Sequence, residues 1–409
     1  MVDRDGQNGN VTREEEQMNI IDGIPVWGDP VDDGALRQIK NCAKTAERVA
    51  MMADHHKGYA VPIGGVVAYS NSISPSGVGY DIACGNKAVL TNLRAEDIQK
   101  DIERVMDLIW NGLSFGMGRR NETTTVDHAL FDDDTWKLRA VASLKEMARH
   151  QLGTIGGGNH YVDLFSDESG YLWIGVHFGS RGLGHKTATY FLKEGGAKDG
   201  IDVDPLVIPV SSPLGSDYLA CMELAGRYAY AGRDWVCAEV ARLLGAAIVD
   251  EVHNHHNYAW REIHDSEHLW VVRKGATPAF PGQKGFIGGS MGDNAVIVEG
   301  VENDEAKYSM YSTVHGAGRV MSRTAARGKI NRKTGEIIST GAISREMMNE
   351  WIRGQGVTLR GAGTDESPHA YKRLPEVLAH HSTSVKILHT LKPIGVAMAG
   401  ENEIDPFKD

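Results

Sequence analysis

At 409 residues the chain is long enough for about two or three domains of ~150 residues, or one large one, and for a substantial core. Its 41% hydrophobic and 24% charged residues are those of a globular protein, and a formal net charge of −11 excludes one that coats nucleic acid through overall charge. No run approaches the roughly 18 apolar residues of a membrane span, and the four cysteines, Cys42, Cys84, Cys221 and Cys237, form no Cys-x-x-Cys pair, which predicts a reduced, cytoplasmic setting.

In chain order, residues 1–19 are polar and acidic, which predicts a disordered leader rather than a signal peptide. An amphipathic helix is predicted over 33–51, with Asp33 near its start. Residues 54–92, rich in Gly, Ser, Val and Ile, predict short strands and tight turns. Helices follow at 95–110 and 133–151, with an exposed polar loop between Arg119 and Asp134. Residues 171–178 (YLWIGVHF) read as a buried strand and 216–248 as a long helix. Short strands fit 269–273, 295–299 and 308–314, and helices fit 343–352 and 374–389. Without a linker or an internal repeat, residues 20–409 read as one large α+β domain.

Seventeen histidines and 48 glycines are both high for this length, a first hint of a metal or phosphate site. In Gly-Tyr-Asp-Ile-Ala-Cys-Gly-Asn (79–86), Asp81 and Cys84 are three apart. A hard carboxylate and a soft thiolate together suit a transition metal, although a buried cysteine near a turn aspartate is the simpler reading. The loop 153–163 brings backbone amides close to an anion through its glycines and offers Asn159 and His160. His177 ends the predicted buried strand, a common ligand placement, and Ser180 and Arg181 beside it suit phosphate. His253, His255 and His256 are too close together for all three to be core residues. His315, followed by Gly316, Gly318, Arg319 and Arg323, could attack phosphorus, with arginines to offset phosphate charge, although a glycine-rich turn beside a basic helix has the same sequence. The basic stretch from Arg319 to Lys333, with Arg327, Lys329 and Arg332, is a candidate nucleic-acid surface or simply a solvated face. These scattered signals exclude a compact zinc-finger spacing. Together they predict metal-dependent phosphoryl chemistry.

The same segments resemble the RtcB-type RNA ligases from about residue 23 to residue 399. The resemblance is carried by Met-Ala-Asp-His-His-Lys-Gly-Tyr (52–59), Gly-Tyr-Asp-Ile-Ala-Cys-Gly (79–85), Gly-Gly-Asn-His (157–160) and His-Phe-Gly-Ser-Arg-Gly-Leu-Gly (177–184). It continues through His-His-Asn-Tyr (255–258), Arg-Lys-Gly-Ala (273–276), Gly-Ser-Met-Gly (289–292), His-Gly-Ala-Gly-Arg-Val-Met-Ser-Arg (315–323) and Ala-Tyr-Lys (370–372). It implies mixed and antiparallel sheets flanked by helices around a central metal cleft. It implies two Mn²⁺ ions, one held by Asp81, Cys84 and His160 and the other by Cys84, His177 and His256. It further implies GTP as cofactor and His315 as the guanylylated nucleophile. Nucleotide contacts fall on Asn159, Asp163, Asn257, Gly288, Gly289, Ser290, Met291, Gly316, Ala317 and Gly318, and RNA-end contacts on Arg181 and Arg319. The implied substrate is RNA with 3′-phosphate or 2′,3′-cyclic phosphate and 5′-hydroxyl ends, in tRNA splicing or RNA repair, with an archease-type activator as a further expected partner. A dinuclear phosphoesterase working without a covalent nucleotide, or a non-enzymatic RNA-end binder, shares the motifs.

The sequence departs from the family pattern near the base. Gly288 stands for a proline, Ala295 for a serine that contacts the nucleotide, Asp163 for a glutamate that faces guanine, and Met398 with Ala399 for the Lys-Gly that commonly ends the chain. These changes spare the metal ligands and the nucleophile, which predicts intact histidine nucleotidylation with altered base selection or weaker GTP affinity.

Overall fold

The computed structural model describes residues 18–121, 126–198, 200–330 and 337–400. Two large sheets organise the chain into one α+β domain. A six-stranded sheet runs, in spatial order, Met18–Ile21, Ile24–Trp27, Arg48–His56, Ile63–Tyr69, Glu267–Lys274 and Asn257–His264. An eight-stranded sheet runs Ile248–His255, Gly85–Arg94, Tyr171–Phe178, Tyr161–Ser166, Val385–Gly400, Ala295–Gly300 and Lys284–Ile287, with Thr358–Ala362 adding in parallel to Val385–Gly400. All other pairings in that sheet are antiparallel.

The long helix Pro213–Leu244 packs across the eight-stranded sheet. Ser212 caps it by accepting from the Gly215 amide, Pro213 occupies the first turn, and Gly245 ends it at φ 66°. Val236, Cys237, Val240 and Ala241 on its second half share a core with Ile174, Val176 and Phe178. Its first half packs Tyr218, Leu224 and Tyr228 into the core under the six-stranded sheet, with Val67, Tyr69 and Val272. Thirty-two residues span about 48 Å at 1.5 Å each, enough to tie both sheets to one rod. Among the described residues no helix is long and apolar enough to cross a membrane.

Several elements differ from the sequence expectation. The predicted helix 33–51 ends at Cys42, and Arg48–His56 is a strand. Its residues 50–54 are buried consecutively, a pattern that suits a strand covered on both faces and not one helical stripe. The predicted helix 374–389 stops at Ala379, and Val385–Gly400 becomes the strand that joins three neighbours. The helix 95–110 is broken into Ala95–Gln99 and Ile102–Gly112. Within 133–151 the α-helix is confined to Lys145–Gln151, preceded by the 3₁₀ turns Asp134–Lys137 and Ala142–Leu144. Part of the loop predicted between Arg119 and Asp134 is not exposed: Leu130 and Phe131 are buried, and Phe131 stacks on Trp136. Residues 122–125 of that loop and 1–17 of the leader lie outside the described residues, while Met18 and Asn19 already belong to a strand.

Candidate active site and metal centre

The topology explains how residues up to 175 positions apart meet. Ile248–His255, Gly85–Arg94, Tyr171–Phe178 and Tyr161–Ser166 are antiparallel neighbours, so they alternately end and begin at one sheet edge. His256 follows the first strand, Cys84 precedes the second, His177 lies at the end of the third and His160 precedes the fourth. His256 is also where the chain crosses to the six-stranded sheet, since Asn257 begins Asn257–His264.

Candidate donor atoms of Cys84, His160 and His177 all lie within 4.8 Å of one another, and the three residues are buried. Cys84 Sγ is 3.3 Å from His177 Nε2 and 3.6 Å from His160 Nε2, and Asp81 Oδ2 is 3.0 Å from His160 Nε2. His177 Nδ1 donates to the Asn159 carbonyl at 3.0 Å, which leaves Nε2 as the lone pair facing the sulfur. Burial, with His160 and His315 nearby, pushes the His177 pKa well down, and burial does the same for His256; both imidazoles are therefore neutral, as ligands must be. Among the described residues His256 Nδ1, which is buried, has no hydrogen-bond partner, and its ring lies 5.2 Å from that of His177. One sulfur, three imidazoles and a carboxylate form a donor set that fits a divalent transition metal. Gly179 makes room for the centre, because a Cβ there would sit 2.2 Å from Asp81 Oδ1.

His315 follows the short strand Ser312–Val314 and lies beside His256, with ring centroids 4.8 Å apart. Its Nδ1 is 2.6 Å from Asp54 Oδ2, which also accepts from the His315 amide at 3.0 Å and the Gly316 amide at 3.3 Å. Burial alone would raise the fully buried Asp54 carboxyl. The His315 ring, these amides and Lys372 outweigh it and hold Asp54 below the usual carboxylate range. An ionised Asp54 favours the tautomer with the proton on Nδ1, which leaves the lone pair on Nε2.

A cleft of about 550 Å³ opens over both groups. Asp81, Cys84, His177, His256 and His315 line it. So do all ten residues expected to contact a nucleotide: Asn159, Asp163, Asn257, Gly288, Gly289, Ser290, Met291, Gly316, Ala317 and Gly318. A Cβ at Gly316 would meet only the Gly288 carbonyl, at 3.4 Å, so space is open there. Gly318 answers a different need: at φ 77° it packs on the Asp54 backbone, where a Cβ would sit 2.1 Å from the carbonyl oxygen.

The family model described as tRNA-splicing ligase RtcB matches residues 35–142 and 134–399. The chain belongs to the RtcB family. It is 32% identical to the RNA-splicing ligase RtcB of Escherichia coli K12, over 91% of this chain and 96% of that one. It is 30% identical to the tRNA-splicing ligase RtcB of Thermococcus kodakarensis, over 85% and 86% of the two chains. An RNA-splicing ligase RtcB homolog of Entamoeba dispar is 29% identical over 88% and 81%.

Other residues singled out in the sequence fall less simply in this RtcB member. Arg181 sits one layer behind the centre: a Cβ on Gly156 would lie 2.0 Å from His160 Nδ1 and 2.3 Å from Arg181 Nη1. Its guanidinium reaches Thr154 Oγ1 and the Gly116 carbonyl. Arg319 lines the cleft, but its guanidinium bonds Tyr371, Met321 O and Asp365 O and pairs with Glu366. Arg323 pairs with Asp365 and Glu366, and Arg327 with Asp365. The basic stretch is therefore tied down by acids over its first half, while Arg332 and Lys333 lie outside the described residues. Ala295 is fully buried in a core with Phe165 and Trp173 and does not line the cleft.

Asp54 had no assigned role in the sequence, although it lies inside the matched Met-Ala-Asp-His-His stretch. A lone aspartate that orients a histidine 261 positions away has no local spacing to reveal it.

Proposed function

We propose that this protein is an RNA ligase that joins 3′-phosphate or 2′,3′-cyclic phosphate ends to 5′-hydroxyl ends through a guanylylated His315, with two Mn²⁺ ions and GTP. What carries the reading is one cleft in which His315, its Nδ1 held by ionised Asp54, lies 4.8 Å from His256 of the Cys84 centre. The RNA- and tRNA-splicing ligases to which the chain is similar support the same reaction class.

His315 Nε2 attacks the α-phosphorus of GTP; the phosphorus–nitrogen bond forms as the bond to pyrophosphate breaks. The Nδ1 proton stays shared with Asp54 and stabilises the charged ring that forms. An oxygen of the RNA 3′-phosphate then attacks the same phosphorus, which breaks the bond to nitrogen and leaves GMP on the RNA end. A 5′-hydroxyl oxygen attacks the 3′-phosphorus, expels GMP and forms the phosphodiester. A cyclic phosphate is first opened by water in the same cleft. Asp81, Cys84 and His160 would hold one ion and Cys84, His177 and His256 the other, supplying neutralisation of phosphate charge. Asn159 and the glycine-rich walls at Gly289 and Gly316 would cradle the nucleotide phosphates, with Arg319 on the wall and Arg181 behind His160 placed to bias the RNA end.

The test is ligation of an RNA with 3′-phosphate and 5′-hydroxyl ends, with and without GTP and Mn²⁺ and with an archease-type activator added. Mass analysis of the peptide containing His315 accompanies it. A GMP-sized mass increase and a GTP-dependent product are expected. Hydrolysis of the ends with no adduct would replace the ligase reading by a dinuclear phosphoesterase.

A further inference from the structure

Behind the candidate metal centre lies a charged side chain that the proposed chemistry does not use. Arg233, on the helix Pro213–Leu244, is completely buried. Its Nη1 donates to the carbonyls of Ala83 at 3.1 Å and Phe178 at 2.6 Å. Its Nη2 lies 2.8 Å from His255 Nδ1, and its Nε donates to His253 Nε2 at 2.8 Å. Ala83 is the residue before Cys84, Phe178 the residue after His177, and His255 the residue before His256. One guanidinium thus holds the immediate chain neighbour of three candidate ligands, each on a different segment of the chain.

We propose that Arg233 is a positioning residue that sets the spacing of Cys84, His177 and His256 before a metal arrives, an inference that rests on the metal reading given above. Its planar fork of donors suits the task, because it bonds several fixed acceptors at once in one plane, which an ammonium does not. The backbone it grips needs holding. Ala83 sits at φ 62°, in the left-handed region that a residue with a Cβ rarely adopts, and persists there only where its surroundings dictate it. The Ala83 amide is tied to the Asn257 carbonyl at 2.7 Å and its carbonyl to Arg233, so both sides of the strained residue are clamped. The His256 amide in turn donates to the Cys84 carbonyl at 2.8 Å, which links two clamped segments directly.

A purely structural role is a poor account of this arginine. Among the described residues no carboxylate hydrogen-bonds its guanidinium; Asp234 is reached through His253, whose Nδ1 lies 3.4 Å from the Asp234 carboxylate. A buried cation without a paired acid is costly to a fold. The same cation beside a cluster that gathers a thiolate and a carboxylate is favourable.

The experiment compares wild type, Arg233→Lys and Arg233→Met for Mn²⁺ affinity by calorimetry, for the cobalt–thiolate absorption of the Co²⁺-loaded protein, and for unfolding of the metal-free protein. Affinity lower by about 10- to 100-fold in both variants, with a weakened or shifted cobalt–thiolate band, is expected, the range that outer partners of metal ligands contribute elsewhere. Folded variants whose Mn²⁺ affinity and cobalt band match wild type overturn the proposal, whatever their unfolding temperature. Should Arg233→Met fail to fold, His255→Gln keeps the guanidinium and perturbs one of its four bonds; a severalfold loss of Mn²⁺ affinity supports the proposal and an unchanged affinity overturns it. A wild-type protein that binds neither ion overturns the metal centre itself, and the positioning role with it.

Discussion

Asp54 decides which nitrogen of His315 is available. With Nδ1 tied to a carboxylate held below its usual range, only Nε2 carries a free lone pair. Asp54→Asn keeps the size but removes the charge, and its amide would present a donor to Nδ1 as readily as an acceptor. Nucleotide-adduct formation should fall roughly 10³- to 10⁴-fold, the scale seen when the acid behind a catalytic histidine is neutralised. Single-turnover labelling of His315 measures this; a loss under tenfold would mean that Asp54 only supports the fold. A second acid raises the question of base selection. Asp163 is almost fully buried, its Oδ1 has no hydrogen-bond partner among the described residues, and burial pushes its pKa well up. Tyr161 Oη, two residues away on the same strand face, likewise has none among the described residues. Directly across the strand pairing lie Met398 and Val396, apolar residues. The cleft wall there offers a carboxyl pushed toward its neutral form by burial and a phenol, groups able to donate or accept. We expect labelled ATP to give the His315 adduct within about tenfold of GTP, since neutral groups that can reverse their roles discriminate weakly between bases. Strict GTP preference at ordinary affinity would refute this.

Elements whose burial follows one period were legible in the sequence. The helix Arg345–Gln355 has Ser344 capping the Met347 amide and Gly356 at φ 68° after its end, and the strand Tyr171–Phe178 is a short apolar run. Arg48–His56 and Val385–Gly400 were not legible as strands, because their buried runs also fit a helix face and only partners distant in sequence decide. The metal ligands were legible as residue types beside glycines. Their convergence follows from the alternating strand order and is invisible in any one motif. One contact between elements makes the glycine substituted for the family proline intelligible. A Cβ at Gly288, just after Lys284–Ile287, would stand 2.2 Å from Tyr161 Oη on Tyr161–Ser166. Gly288→Ala should cost about 1–3 kcal/mol by overpacking. Adding Tyr161→Phe removes the clashing oxygen and leaves the next atom at 3.2 Å, so the double variant should regain most of the loss. Denaturant unfolding of the four proteins measures the coupling; strictly additive effects would show that the two residues do not share this space.

The molecule as a whole concentrates neutral histidines, and that gives the metal-free protein an acid limit. Burial pushes His381 and His253 down to about 3 and His56 to about 4, while His177, His255 and His256 are also driven well below their ordinary value by burial. An unfolded histidine takes up a proton below pH ~6.5. Between that value and the depressed folded pKa, the unfolded chain binds more protons than the native one, so stability is complete above pH ~6.5 and falls as pH drops. Each such histidine contributes about 1.4 kcal/mol per pH unit over that window. Asp163 runs the other way, because its raised pKa makes the native state hold its proton more tightly than the unfolded chain does, which offsets part of the histidine effect. The balance still favours unfolding in acid. The chelator-treated protein should therefore melt more than about 5 °C lower at pH 5.5 than at pH 7.5. His381 Nε2 accepts the buried Ala53 amide at 3.2 Å. His381→Gln, whose amide oxygen takes that bond without titrating, should reduce the dependence between those two pH values by one histidine's share. A melting temperature that holds constant or rises on acidification would mean that these rings find protons, or water, inside the folded protein.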